Sequence, residues 1–159
     1  RMARLVDDLL RVARQGNVVS DPEPTDVGEV VEAAWRSLGG KSGATLTYDP
    51  VPSVSSDSDR LRELFENLFQ NAMDHGGDDA AVRVGPLDTG FFVEDDGPGI
   101  AEGCEEEVFD HGFTTRDGGH GYGLSVVRTI VNAHGWDIVA TEAESGGARF
   151  EITGIDFLG

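Results

Sequence analysis

The sequence predicts an α+β domain in which helices pack on one face of a mixed, largely antiparallel sheet. Two observations lead to this class. Stretches with an apolar residue every three or four positions occur between short stretches in which apolar and polar residues alternate. Most of the alternating stretches come in adjacent pairs, which is typical of hairpins that amphipathic helices cover. The chain has 159 residues, 38% of them hydrophobic, which is enough for one such core.

The first 24 residues are predicted to precede this domain. Residues 1–14 carry one apolar stripe, which indicates a helix, and nothing in the pattern ends it at its first residue. We therefore expect this helix to continue upstream in a longer protein. Residues 15–24, QGNVVSDPEP, have the composition of a turn and linker. The chain is thus divided into a helical segment at 1–15, a linker at 16–24 and a folded domain at 25–159.

Local patterns predict the elements of the domain in order. Gly-rich stretches are expected to end the helices. Asp57 or Asp59 is expected to cap the helix that carries ELFENLFQNAMDHG. The predicted elements are a helix at 27–38, strands at 44–49 and 51–54, a helix over the stretch ELFENLFQNAMDHG, strands at 80–87 and 89–95, a long loop at 96–120, a helix at 123–135 and strands at 136–143 and 147–154.

The composition excludes several classes of function. The net charge is -18, and so acidic a surface repels nucleic acid and anionic lipid. The sequence contains no run of about 18 apolar residues, the length that a membrane-spanning helix needs. The single cysteine, Cys104, excludes an internal disulfide and a multi-cysteine zinc site. Lys41 is the only lysine and the acids are spread over the whole chain, which favours a salt-loving source over an ordinary acidic cytosolic protein.

Four polar residues recur at every fourth position of the helix at 63–76: Glu63, Asn67, Asn71 and His75. Residues four apart lie on one helix face, so these side chains form a stripe beside the apolar one. Asn is a mediocre helix former, and two on one stripe therefore suggest a function. An amide carbonyl is a neutral ligand for a Mg²⁺ ion that keeps waters and holds phosphates.

Two glycine-rich stretches point to a nucleotide. VEDDGPGIAEG, at 93–103, has acids at the end of a strand, where Asp could accept a hydrogen bond from an amine such as that of adenine. GGHGYGLS, at 118–125, opens a helix, and bare amides at a helix N-terminus bind anions. Its spacing differs from the dinucleotide pattern G-x-G-x-x-G. GKS at 40–42 is not a Walker A loop, since Trp35 stands where that motif needs Gly.

These motifs, in this order, resemble the ATP-binding catalytic domain of sensor histidine kinases, whose superfamily includes DNA gyrase and a heat-shock chaperone. The likeness covers about residues 22–154. ENLFQNAMDHG is similar to the N box of that family, DDGPGI to its first glycine box, FDHGFTT to its phenylalanine box and GHGYGLS to its second glycine box. The resemblance implies a two-layer α/β sandwich with a mobile ATP lid, and ATP and Mg²⁺ as cofactors.

The resemblance also implies roles for individual residues. Asn71 matches the Asn that coordinates Mg²⁺, Asn67 the polar residue that faces the phosphates, and Asp95 the Asp that reads the adenine amine. Asn67, Glu63 and Arg116 are the expected catalytic residues, Arg116 as a lid cation. The other expected nucleotide-binding residues are His75, Gly97, Gly99, Ile100, Phe109, Phe113, Thr115, Gly119, His120, Gly121, Tyr122, Gly123 and Leu124. One residue departs from the family: Asp74 stands where many relatives carry Lys or Arg.

The implied activity is transfer of the γ-phosphoryl group of Mg-ATP to a His on an upstream hairpin, followed by relay to an Asp of a response regulator. Residues 1–15 resemble the last part of that hairpin, so this chain alone is expected to bind ATP with little turnover. A homodimer is expected for the longer protein, and a cytoplasmic location for this domain, with or without a membrane anchor elsewhere.

Three alternatives stay open at this point. The first is a protein serine kinase similar to anti-sigma factor kinases. The second is a gyrase-type ATPase, which usually uses Glu as a general base where this chain has Asn67. The third is a degenerate module that binds a nucleotide or a partner without transferring phosphate.

Overall fold

The computed structural model describes residues 22–38, 44–76, 80–97, 99 and 123–157. The helix expected at residues 1–15 lies outside this part of the chain. The elements in chain order are β1 (Glu23–Thr25), α1 (Val27–Ser37), β2 (Thr45–Tyr48), β3 (Val54–Ser56), α2 (Ser58–Gly76), β4 (Ala81–Leu87), β5 (Gly90–Asp95), α3 (Gly123–Ala133), β6 (Asp137–Glu142) and β7 (Ala148–Thr153).

Five of the strands form the main sheet, in the order β2-β4-β5-β7-β6. The β2–β4 pair is parallel, and the β4–β5, β5–β7 and β7–β6 pairs are antiparallel. The sheet is therefore mixed and largely antiparallel, as the sequence predicted. Its two hairpins, β4–β5 and β6–β7, are the two pairs of adjacent strands that the alternation indicated.

The helices cover one face of this sheet. Successive side chains of a strand point to opposite faces, and Phe91, Val93 and Asp95 of β5 share the face that the helices cover. The Phe65 ring of α2 lies 5.2 Å from the Phe91 ring between their centroids. Both α1 and α3 pack against α2. None of the three helices in the described part of the chain combines the length and hydropathy that a membrane crossing needs.

On the opposite face of the sheet, charged side chains pack around one buried aromatic ring. Phe92 is only 6% exposed there. Its ring lies over Gly85, where an added Cβ would come within 2.6 Å of it, and the Arg149 guanidinium carbon lies 4.0 Å from the ring centroid. Arg149 in turn donates to Glu94 at 2.8 Å and to Glu151 at 2.7 Å. An ion-pair network therefore covers this aromatic ring on the face opposite the helices.

One part of the architecture differs from the prediction. The short strand expected at 51–54 is β3, at Val54–Ser56, and it pairs with β1 in a separate two-stranded sheet. β1 begins at Glu23, within the segment for which a turn and linker were predicted. The reason is a buried polar contact, since Ser56 Oγ donates to Thr25 Oγ1 at 2.9 Å and both residues are buried. Such short polar strands are specified by their pairing and have no apolar alternation.

The N-terminus of α2 is fixed by a side-chain cap. Asp57 Oδ1 accepts hydrogen bonds from the backbone N–H of Asp59 at 3.1 Å and of Arg60 at 3.2 Å. Of the two capping residues that the sequence allowed, Asp57 is therefore the cap.

The same end of α2 is tied to the end of α3. The backbone N–H of Asp57 donates to Nε2 of His134 at 3.1 Å, so Nε2 is unprotonated and Nδ1 carries the proton that Ile130 O accepts at 2.8 Å. The His134 ring also stacks on Trp136, with 4.4 Å between the ring centroids. Burial lowers the pKa of His134 below its ordinary value of 6.5, which favours this neutral form.

Candidate functional site

The described part of the chain contains about half of the expected site residues. Glu63, Asn67, Asn71, His75, Asp95, Gly97, Gly99, Gly123 and Leu124 lie within it, with His75 described by its backbone alone. The others lie outside the described residues: Ile100, Phe109, Phe113, Thr115, Arg116, Gly119, His120, Gly121 and Tyr122.

The polar stripe of α2 lies where the helical period predicted it. The residues on the apolar side of the helix are fully or almost fully buried, namely Leu61, Leu64, Phe65, Leu68 and Ala72. Glu63 is exposed, and Asn67 and Asn71 are half-buried. Asn67 Nδ2 donates to the backbone carbonyl of Glu63 at 2.9 Å. This bond turns the amide nitrogen toward the helix and leaves the carbonyl oxygen of Asn67 on the other side of the amide.

The packing of α3 brings its first residue near this stripe. Because His134 follows α3 and bonds to Asp57 at the start of α2, the two helices run antiparallel. Both helices rise about 1.5 Å per residue. Gly123 precedes His134 by 11 residues (134 - 123), and 11 residues after Asp57 is position 68 (57 + 11). The N-terminus of α3 therefore lies at about the level of the turn between Asn67 and Asn71.

The N-terminus of α3 has the electrostatics of an anion site. The first turn of a helix has N–H groups without helical partners and the positive end of the dipole. No acidic residue occupies the first turn of α3, although 30 of the 159 residues are acidic. Leu124 is buried in the core, so the start of the helix is held firmly beside α2.

Asp95 is a buried carboxylate at the end of β5. It is 7% exposed and lies on the face of the sheet that the helices cover. Its Oδ1 accepts hydrogen bonds from the backbone N–H of Gly97 at 2.9 Å and of Ala148 at 3.2 Å. Two charge-assisted bonds from two separate segments fix the orientation of the carboxylate.

The turn between β6 and β7 packs against this segment, a contact that the sequence analysis did not identify. Ser145 Oγ donates to the carbonyl of Asp95 at 3.3 Å. A Cβ added at Gly147 would lie 1.9 Å from the Asp95 carbonyl oxygen. Gly99 has a φ of +82°, and a Cβ there would lie 2.5 Å from Gly146 O. The sequence signal was the Ser-Gly-Gly run, which is also typical of an ordinary hairpin turn.

The C-terminal end of α2 reaches the same edge of the domain as Asp95. Four Cα–Cα steps separate Gly76 from Ala80, and such a stretch spans at most about 15 Å. The next N–H, that of Ala81, donates to Oδ1 of Asp96 at 2.9 Å. The end of α2 and the loop after β5 therefore lie at one edge of the domain.

The donor atoms at this edge fit a cation that is shared with a ligand. Among the residues that the structure describes, no group of three or more His, Cys, Asp or Glu could hold a metal ion. The stripe instead offers two amide oxygens and the exposed carboxylate of Glu63. This donor set fits Mg²⁺ that keeps waters and takes further ligands from phosphates.

Known proteins similar to this chain include sensor histidine kinases and their solved structures. The sensor histidine kinase ZraS of Escherichia coli O157:H7 is 37% identical over 162 residues, covering 96% of this chain and 35% of ZraS. The structure of the mycobacterial sensor histidine kinase MprB is 25% identical with a TM-score of 0.71, covering 86% of this chain and 99% of that one. Full-length ShkA in complex with AMPPNP has the same fold, with 24% identity, a TM-score of 0.75 and coverage of 99% of this chain and 36% of ShkA.

A family profile covers most of the described domain. The profile described as histidine kinase-, DNA gyrase B-, and HSP90-like ATPase matches residues 56–156, which include α2, Asp95 and α3. The chain spans about a third of the length of ZraS, at 35%. The matched residues hold the polar stripe, the buried carboxylate and the helix N-terminus at one edge of the domain. This chain belongs to the family of histidine kinase-, DNA gyrase B-, and HSP90-like ATPases.

Proposed function

We propose that this chain is the ATP-binding catalytic domain of a sensor histidine kinase. The observation that carries the proposal is Asp95, a buried carboxylate that the fold orients at the same edge as Asn71 and the N-terminus of α3. ZraS and MprB, which are named sensor histidine kinases, support it. So does the AMPPNP complex of ShkA, since AMPPNP is an analogue of ATP.

Adenine is the group that Asp95 would bind. The 6-amino group of adenine is a donor, and a buried carboxylate is a strong acceptor for it. Gly97 and Gly99 follow directly, and the absence of side chains lets a flat base approach the backbone. Ile100 is proposed as an apolar wall of the same pocket from the resemblance alone.

The phosphates would lie between the stripe of α2 and the start of α3. The carbonyl oxygen of Asn71 would hold Mg²⁺, which when bound neutralises charge on the phosphates. Asn67 would face the phosphates, and the first amides of α3, from Gly123, would donate to phosphate oxygens. Glu63 is one turn further from this edge and is proposed to order a water molecule.

The proposed reaction is phosphoryl transfer to a His on the upstream hairpin of the longer protein. A nitrogen of that imidazole attacks the γ-phosphorus, the bond to the bridging oxygen breaks, and ADP leaves. Positioning and charge neutralisation dominate such reactions, and Arg116 is proposed as the lid cation that contributes to them. Asp74 replaces a cation of many relatives, so Mg²⁺ carries more of the neutralisation. The product would pass phosphate to an Asp of a response regulator.

Several further proposals rest on the resemblance. Phe109 and Phe113 are lid anchors, and the residues that contact the nucleotide from the lid and second glycine box are Thr115, Gly119, His120, Gly121 and Tyr122. The longer protein is a homodimer, and this domain works in the cytoplasm.

The charge of -18 supports adaptation to high salt, which screens repulsion between the acids. We expect the thermal unfolding midpoint to rise when KCl is increased from low to molar concentration. A midpoint that falls over this range would contradict the adaptation.

The decisive experiment is binding followed by transfer. Calorimetry should detect ATP binding to this chain that strengthens when Mg²⁺ is added. The longer protein should then incorporate label from γ-labelled ATP into a phosphoramidate, which acid hydrolyses. An acid-stable phosphoester would support the serine kinase instead, and binding without incorporation would support the degenerate module.

A further inference from the structure

The turn between β6 and β7 contacts Asp95 on both its side chain and its main chain. We propose that Ser145, Gly147 and Ala148 form an Asp95 cradle, which positions the carboxylate and so sets the preference of the site for a 6-aminopurine. The three are positioning residues, because they act on the base through Asp95. The proposal rests on the proposed function, since it concerns the base that the same site binds.

The first argument is the origin of the two donors on Oδ1. Gly97 is two residues from Asp95, so its N–H is a local donor from the same segment. Ala148 lies on β7, 53 residues away, and its N–H donates at 3.2 Å. The pairing of β5 with β7 ends with Glu94 opposite Arg149, and Asp95 and Ala148 are the next residues of the two strands. The Ala148 bond therefore ties the carboxylate to the neighbouring strand.

The second argument is the space at Gly147. A Cβ there would lie 1.9 Å from the Asp95 carbonyl oxygen and 2.7 Å from its Oδ1. Real Cβ atoms do not approach so closely, so any side chain at this position displaces the end of β5. The hydroxyl of Ser145 donates to the same carbonyl oxygen at 3.3 Å. The turn thus touches Asp95 through a close approach and a hydrogen bond.

The third argument is a second point of contact along the loop. Gly99, which has a φ of +82°, comes so near the turn that an added Cβ would lie 2.5 Å from Gly146 O. The loop after β5 is therefore held against the turn at Asp95 and again four residues later.

The consequence for the ligand is selectivity. A base that lacks the 6-amino group forgoes a charge-assisted hydrogen bond to the buried carboxylate and therefore binds less tightly. Hydrogen bonds weaken steeply as their angle and distance depart from the optimum. A displaced carboxylate therefore loses selectivity for the amino group, whereas the phosphate contacts, which come from α2 and α3, are retained.

The test compares ATP with purine riboside triphosphate, which lacks the 6-amino group, by calorimetry with Mg²⁺. The measured quantity is the Kd for purine riboside triphosphate divided by the Kd for ATP, which should exceed one in the wild type. Gly147→Ala should lower this ratio by about tenfold or more, as expected for a lost hydrogen bond to a charged group. Ser145→Ala should lower it by about threefold, since one neutral bond is lost. Gly135→Ala is the matched control, because Gly135 has a φ of +77° and no atom of the described residues lies within 4 Å of an added Cβ. It imposes the same backbone strain at the turn after α3, which is not part of the Asp95 cradle, and should keep the ratio.

The outcomes separate the two proposals. If folded wild type does not bind ATP, the proposed function fails and the cradle with it. If wild type discriminates, but folded Gly147→Ala and Ser145→Ala keep its ratio or weaken both nucleotides equally, only the cradle is wrong. If Gly147→Ala does not fold, Ser145→Ala decides: a lower ratio supports the cradle and an unchanged ratio overturns it.

Discussion

The base end and the phosphate end of the proposed site differ in how completely the fold builds them. Asp95 is 7% exposed, and backbone N–H groups of two segments hold its carboxylate. Asn67 and Asn71 are half-buried on a helix surface, and the amide of Asn67 bonds to its own helix. The base end is therefore preorganised by a bond between distant segments, whereas at the phosphate end the bond of Asn67 is local to its own helix.

This difference predicts different consequences of mutation. A change at the base end disturbs a buried charge and the bonds around it, so it affects binding under all conditions. A change at Asn71, which would hold the cation, affects binding only when the cation is present.

Asp95→Asn should have the largest effect, a loss of ATP affinity of about 100-fold, as expected for a buried charged acceptor. The amide oxygen must face the N–H groups of Gly97 and Ala148, so the amide nitrogen faces the adenine amine and two donors meet. Calorimetry with and without Mg²⁺ measures the loss, which should be similar in both conditions. Asp96→Asn is the control, because Asp96 is exposed and an amide oxygen still accepts from Ala81. If Asp95→Asn binds ATP within threefold of wild type, Asp95 does not bind the base and the proposed base end is wrong.

Asn71→Ala should weaken ATP binding by about tenfold in the presence of Mg²⁺. This is the lower end of the loss in affinity expected when a side chain that helps to hold a metal ion is removed. Without Mg²⁺ the affinity should not change. Stability should not fall, since Ala is the better helix former at a half-buried position.

The matched control is Asn132→Ala, the same replacement at an exposed position of α3. Equal losses for Asn71→Ala with and without Mg²⁺ would mean that Asn71 contacts the nucleotide directly, and the two ends would no longer differ in this respect.

His134→Gln should have the smallest effect of the three substitutions, and the effect should be on how stability depends on pH. Burial lowers the pKa of His134 in the folded state, and Asp57 and Arg60 are the charged groups that act on it. The unfolded chain therefore takes up a proton near pH 6.5 that the folded chain does not, so wild-type stability is full above this pH and falls as the pH decreases below it.

Thermal unfolding between pH 7.5 and 5.5 checks this, with a fall of a few degrees expected for wild type and a flatter profile for His134→Gln. The ratio of ATP to purine riboside triphosphate affinity should stay constant, because His134 fixes α2 against α3 and does not touch Asp95. Identical pH profiles for the two proteins would show that protonation of His134 has no bearing on stability.

The sequence predicted those parts of the fold and site that local patterns determine. The four-residue period placed Asn67 and Asn71 beside the buried stripe of α2, and the acids before Gly97 placed Asp95 at the end of a strand. β1 and β3 were not predicted as partners, because their contact is a buried pair of hydroxyl groups between three-residue strands.

The long-range contacts of the site were beyond the sequence patterns for a similar reason. The bond of Ala148 to Asp95 depends on which strand lies beside β5, and the spacing of the strands along the chain does not determine that order. His134 lies near the end of the helix predicted at 123–135, and in the structure it follows α3, but its bond to Asp57 spans 77 residues.

On the sheet face opposite the helices, the side chains that fit at positions 85, 92 and 149 depend on one another. The Phe92 ring occupies the space above Gly85, where a Cβ would come within 2.6 Å of it, and the Arg149 guanidinium carbon lies 4.0 Å from the ring centroid. Alanine at position 85 therefore displaces the Phe92 ring, and a smaller residue at 92 leaves the guanidinium of Arg149 without a ring to cover. These three positions should covary among relatives, with glycine at 85 accompanying an aromatic residue at 92.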